Sequence, residues 1–184
     1  MSALILASAS PRRAQLMTDA GYHFRVWATH ASEEVPEGTP PSLAAVELAV
    51  RKAMAVEAHT SWVLAADTII DLDGRIVGKP TSREDARRIL HALSGREHWV
   101  CTGVALRKGA DVRTGLAQTK VTFRVLSPRE IEDYIATGES LDKAGAYAVQ
   151  GGARGFVGRL DGALATVIGL PAEVGGYTPP TSAV

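Results

Sequence analysis

At 184 residues the chain has the length of one domain, or of two small lobes sharing a core, and it can bury a substantial interior. Its 20 basic and 20 acidic residues cancel, which argues against a general nucleic-acid or membrane-surface binder, since those carry a basic excess. Cys101 is the only cysteine and no apolar run approaches membrane-spanning length. An internal disulfide is therefore ruled out, and a reducing cytoplasm is the expected setting, with nothing exported or inserted.

Leu4-Ile5-Leu6-Ala7 reads as a short buried strand. Ser8 and Ser10 follow in a turn, Ser10 offers a helix N-cap and Pro11 suits the first helical position. Arg12 and Arg13 then place two cations in the first helical turn, where the positive end of the helix dipole disfavours them. A bound anion, phosphate above all, would remove the conflict, because backbone N–H groups, hydroxyls and two guanidiniums would converge on it. Two solvated surface arginines are the plain alternative. Leu16, Met17 and Ala20 give this helix one apolar face, and Gly21 ends it.

Residues 23–27 read as a second strand, and residues 30–41 as a polar loop holding Glu33, Glu34 and Glu37. Adjacent carboxylates in a loop are usually solvated, but beside a phosphate cluster they could hold a divalent cation. A helix is expected over residues 42–59, with Leu43, Val46, Ala49, Val50 and Ala53 on its apolar face and Lys52 just off it. Trp62-Val63-Leu64-Ala65-Ala66 has the pattern of a strand covered on both faces. Asp67 and Thr68 come at its expected end, the edge where open α/β sheets gather ligands, so a cation or substrate should lie near Asp67.

Asp73-Gly74 marks a two-residue hairpin, whose returning strand delivers Gly78-Lys79-Pro80 and brings Lys79 towards Asp67. Ser82 caps a helix whose core stripe is Ala86, Ile89, Leu90 and Leu93. Strands over residues 99–106 and 115–125 follow, the second alternating Val121, Phe123 and Val125 with polar residues. Ser127-Pro128-Arg129-Glu130 carries a capping box, and that helix ends at Gly138. Residues 139–152 form a loop of charges and small residues of the kind that lines sites. Residues 166–168 read as a short strand stopped by Gly169-Leu170-Pro171, and the Gly/Pro-rich tail 172–184 is expected to fray. No linker or repeat divides residues 1–184, so a single domain is expected.

Arg12, Arg13, Lys52 and Lys79 make a cationic set, and Glu33, Glu34 and Asp67 an acidic one. A di- or triphosphate with a divalent ion needs both. Anhydride hydrolysis needs positioned water, charge neutralisation and one base, for which Asp67 is the best placed candidate. No Walker-type glycine loop and no dinucleotide fingerprint is present. Scattered histidines argue against a zinc hydrolase, and Ser8 lacks a G-x-S-x-G frame.

The segment Leu6-Ala7-Ser8-Ala9-Ser10-Pro11-Arg12-Arg13 resembles the opening of the Maf family of nucleoside triphosphate pyrophosphatases. The resemblance continues through Leu48-Ala49 with Lys52-Ala53, Ala66-Asp67-Thr68, Gly78-Lys79-Pro80 and Leu93-Ser94-Gly95. It then covers Val121-Thr122-Phe123, Asp142-Lys143-Ala144-Gly145-Ala146-Tyr147, Gln150-Gly151 and Gly169-Leu170-Pro171. It implies a mixed α/β fold of the Maf/ITPase kind: an elongated twisted sheet flanked by helices, with two lobes and a central cleft. It implies hydrolysis of a nucleoside triphosphate to the monophosphate and pyrophosphate with Mg²⁺ or Mn²⁺. Asp67 would be the base and, with Glu33, a metal ligand, Glu34 being the adjacent alternative. Ser8, Arg13, Lys52 and Lys79 would hold phosphates. The three positions that track base preference read Arg12, Thr68 and Gln150, which looks like the dTTP and UTP branch. Rivals are a purine-type enzyme acting on 7-methyl-GTP or ITP, and a non-catalytic nucleotide-binding regulator of septum formation. A homodimer is implied. The departures are Ser140 where proline is common, Ala163 where serine is common, and a tail lacking the family's closing amphipathic helix.

Overall fold

The computed structural model describes residues 4–171, so the expectations for the tail 172–184 lie outside the described residues. Strands β1 (Leu4–Leu6), β2 (Phe24–Val26), β3 (Trp62–Leu72), β4 (Arg75–Val77), β5 (Glu97–Lys108), β6 (Asp111–Phe123) and β7 (Val157–Asp161) form one mixed sheet. Its order is β2-β1-β3-β5-β6-β7, with β4 paired to β3. The β2, β1 and β3 neighbours run parallel and all other pairs antiparallel. The helices are α1 (Pro11–Asp19), α2 (Pro41–Met54), α3 (Arg83–Leu93), α4 (Pro128–Ala136) and α5 (Leu164–Ile168).

Three long strands carry the architecture. At one end of β3 and β5, apolar clusters on the two faces pack under α1 and α2. At the other end a larger cluster gathers Ile89, Leu90, Leu93, Ile131, Ile135 and Phe123 beneath α3 and α4. The cleft lies between these two packed regions. Local signals explain several joints: Ser82 accepts from the Asp85 N–H at 3.0 Å, Ser127 and Glu130 form both bonds of a capping box, and Asp73 and Gly74 turn with φ of 55° and 77°.

Four elements differ from their sequence reading. Strand β3 does not end at Ala66. Its pairing with β5 continues from Val63 to Asp71, so Asp67 sits mid-strand. Helix α2 starts at Pro41 with no side-chain cap and ends at Met54, not near residue 59. It buries Ala44, Ala45, Leu48, Ala49 and Ala53 and leaves Leu43 exposed. The small face wins because α2 lies directly on the sheet: a Cβ on Gly103 would fall 2.3 Å from the Ala45 carbonyl carbon. Strand β6 begins at Asp111, not 115, and ends at Phe123, leaving Val125 79% exposed. Residues 166–168, read as a strand, belong to α5. Buried threonine hydroxyls of the sheet hold that segment, Thr119 donating to the Ala163 carbonyl at 3.0 Å and Thr102 to the Thr166 carbonyl at 2.8 Å.

Candidate active site

Strand β1 stops at Leu6, whose partner on β3 is Leu64. Beyond that point β3 has β5 on one side and no neighbour from β1 on the other, so Asp67 and Thr68 are reached from the cleft at the carboxyl edge of the parallel strands. The chain leaving β1 turns through Ser8 and Ser10 into α1. The Ser10 N–H donates to Ser8 Oγ at 3.1 Å, and Ser10 Oγ accepts from the Arg13 N–H at 3.5 Å. No acidic side chain occupies the first turn of α1, so its N-terminus faces the cleft with positive charge only.

A cavity of about 450 Å³ opens here, lined among others by Ser8, Arg12, Arg13, Glu33, Lys52, Asp67, Thr68 and Lys79. Eight of the nine site residues named from sequence thus share one hollow, drawn from five separate stretches of chain. Gln150 is exposed and is not part of the lining, although its neighbour Val149 is.

Two arrangements of charge stand side by side. In the first, carboxylates and ammonium groups alternate: Asp67 contacts Lys52 Nζ, Lys52 Nζ reaches Glu33 Oε1 at 2.9 Å, and Lys79 Nζ reaches Glu33 Oε2 at 3.0 Å. Asp67 is buried, whereas the Glu33 and Lys79 side chains are half exposed. Burial pushes the Glu33 carboxyl up, but hydrogen bonds from Lys52 and Lys79 outweigh it and hold the group at about 2. In the second arrangement, Arg13 donates from Nε to the Gly169 carbonyl at 2.7 Å, from Nη1 to Ser8 Oγ at 3.2 Å and from Nη2 to Thr68 Oγ1 at 3.1 Å. Burial draws this guanidinium below its ordinary value, Asp67 opposing.

A family model described as Maf-like protein matches residues 3–174. The chain belongs to the Maf family. Similar Maf relatives include the dTTP/UTP pyrophosphatase of Geobacillus sp. (strain WCH70), 47% identical over 93% of each chain. That of Geobacter metallireducens is 47% identical over 92% of this chain and 91% of its own. That of Yersinia pestis bv. Antiqua is 46% identical over 93% and 88%. A solved structure, the Ham1 protein of Staphylococcus aureus, is a loose likeness with a TM-score of 0.44 and 15% identity over 66% of this chain and 72% of that one.

For a divalent ion, this Maf chain offers Glu33 and Asp67. Among the described residues no three His, Cys, Asp or Glu side chains converge as a metal cage. Two carboxylates nevertheless suit an ion that keeps waters and takes phosphate oxygens as further ligands. Both carboxylates already share one cation, the Lys52 ammonium, so positive charge between them fits the donor set. Glu34 is the poorer donor, because it does not line the cavity, whereas Glu33 does and bonds both Lys52 and Lys79.

Sequence reasoning missed part of the lining. Lys143, ion-paired to the adjacent Asp142, and Tyr147 border the cavity from the loop 139–152. The Gly145 N–H donates to the Gly78 carbonyl at 3.0 Å and ties that loop to the Lys79 segment. The loop's mixture of charge and small residues and its place in the family resemblance are the signals the sequence offers, and neither assigns these two residues a role. Among the described residues no helix is long and apolar enough to cross a membrane.

Proposed function

We propose that this chain hydrolyses dTTP and UTP at the bond between the α and β phosphates, giving the nucleoside monophosphate and pyrophosphate. The observation that carries the reading is Asp67, a buried carboxylate in a strand, flanked by Lys52 on one side and by the Ser8–Arg13 turn on the other. The substrate class follows from the names of the dTTP/UTP pyrophosphatase relatives and from the resemblance at Arg12 and Thr68.

In this reading the polyphosphate lies along the N-terminus of α1, where Ser8, Arg12 and Arg13 meet it. Lys52 and Lys79 exchange Glu33 and Asp67 for phosphate oxygens, neutralising charge that builds on the leaving pyrophosphate. A bound Mg²⁺ or Mn²⁺, held by Glu33 and Asp67, would add Lewis-acid polarisation of those oxygens. Asp67 accepts the proton of the attacking water. The low proton affinity of Glu33 keeps it anionic throughout the working range. The proposal includes residues 1–184 acting as one domain, a cytoplasmic setting consistent with the single buried Cys101, and the homodimer implied by the family.

Pyrophosphate release from UTP and dTTP with Mn²⁺, measured for the wild-type chain and for Asp67→Asn, tests this. A fall in kcat of about a hundredfold or more is expected, with the triphosphate still bound. Unchanged turnover in the Asn variant removes Asp67 as the base. A preference for 7-methyl-GTP or ITP overturns the pyrimidine assignment, and binding without turnover in the wild type favours a regulator.

A further inference from the structure

Behind the cavity wall lies a chain of hydroxyls whose proton directions can be worked out from hydrogen-bonding capacity. Thr102 of β5 is fully buried, pairs across the sheet with Thr68 of β3, and lines no part of the cavity. Its Oγ1 lies 2.8 Å from the Thr166 carbonyl, which can only accept, so the single Thr102 proton goes there. Thr68 Oγ1, 2.9 Å from Thr102 Oγ1, must therefore be the donor in that contact. With its one proton committed, Thr68 can only accept from Arg13 Nη2. The order is Arg13 N–H to Thr68 O–H to Thr102 O–H to the Thr166 carbonyl.

The consequences reach the cavity. Arg13 has five N–H groups, and its three anchors leave one on each terminal nitrogen without a partner among the described residues. Ser8 Oγ accepts from both the Ser10 N–H and Arg13 Nη1, so both lone pairs are filled and only its proton remains to be given. Thr102 supports two of the three Arg13 anchors. It orients Thr68 directly, and through Thr166 it holds α5, whose C-cap Gly169 (φ 116°) presents the carbonyl that receives Arg13 Nε.

We propose that Thr102 is a positioning residue for the polyphosphate site: by fixing the proton order of Thr68 and the seat of α5, it aims the remaining donors of Arg13 and Ser8 into the cavity. Thr68 then acts through Arg13, as an acceptor, and has no proton to give a base. The inference rests on the phosphate-binding part of the function proposed above. Thr119 provides an internal control, because its equally buried hydroxyl grips the same segment at the Ala163 carbonyl and touches no Arg13 anchor.

The test is calorimetric binding of inorganic tripolyphosphate in Mg²⁺ buffer, with thermal melts on every variant. Thr102→Val and the smaller change Thr102→Ala are each expected to weaken binding about tenfold, the scale of one well-placed hydrogen bond. Thr102→Ser keeps the hydroxyl and should bind within about twofold of wild type. Thr119→Val should lower the melting temperature yet leave the affinity within about twofold. Wild-type affinity in Thr102→Val or Thr102→Ala overturns the proposal. An equal loss in Thr102→Ser also overturns it, since packing alone would then explain the effect, and so does an equal loss in Thr119→Val, since the seat of α5 would then explain it without the proton order of Thr68. Absence of tripolyphosphate binding by the wild type overturns it as well. UTP turnover measured in parallel separates the two ideas: no turnover with the affinity pattern intact contradicts the pyrophosphatase reading and leaves the positioning role standing.

Discussion

The two sides of the cavity are built on different principles. On the Arg13 side every partner is a hydroxyl or a backbone carbonyl held by the sheet, and the arginine is half-buried. On the Lys52 side the partners are ions that satisfy one another, and the outer pair, Glu33 and Lys79, is half exposed. The first side is set before a ligand arrives. The second must trade carboxylates for ligand oxygens, which a substrate or ion can drive because each new partner replaces an old one of the same charge. Preorganisation and exchange are thus divided between the two walls of one cleft.

Breaking the rigid side should cost most. Arg13→Lys keeps the charge but cannot make three directed bonds, leaving Ser8 and Thr68 unanchored. A fall in kcat/KM for UTP of at least about a hundredfold is expected in steady-state kinetics. The same rigidity extends into the neighbouring core. His98 Nε2 bonds the Tyr147 hydroxyl at 2.8 Å, and its ring meets Phe123 and Tyr147 edge-on. Burial lowers the His98 proton affinity to about 4. The unfolded chain takes up this proton below about 6.5 while the folded one waits until about 4. Stability should therefore fall as pH drops through that window, by up to on the order of 3 kcal/mol. Urea unfolding between pH 7 and 4 would show the slope, and His98→Phe should flatten it.

On the exchanging side, Lys79→Ala should raise KM for UTP about tenfold and make it less sensitive to salt. Its effect on stability should be under about 1 kcal/mol, because the pair with Glu33 is exposed. Smallest of all, Ala163→Ser supplies the side-chain cap that α5 lacks. It should stabilise the chain by about 1 kcal/mol in a thermal melt without altering turnover.

Features of short range were legible in the sequence: the Ser10-Pro11 helix start, the Asp73-Gly74 hairpin and the Ser127–Glu130 capping box all formed as their residue types require. Features decided by distant partners were not. The strand-like run at residues 166–168 became helical under hydroxyls from Thr102 and Thr119, which are 64 and 44 residues away from their acceptors. Helix α2 turned its alanines inward because Gly103, on another strand, lets its backbone approach. Asp67 lines the cavity, but not as the end of a strand. Its strand continues, and its openness comes from the early end of β1. The part of the site drawn from charged residues was readable because isolated cations and carboxylates stand out. The hydroxyl network behind Arg13 was not, since a buried threonine in a strand looks like any other.

The central claim is that water is directed at the α–β anhydride of a pyrimidine triphosphate by Asp67. Phosphorus NMR of UTP incubated with the wild-type chain and Mg²⁺ tests it most directly. UMP and pyrophosphate are expected in equal amounts, formed at least about a hundredfold more slowly with Asp67→Asn. UDP with orthophosphate from the wild-type chain would contradict it.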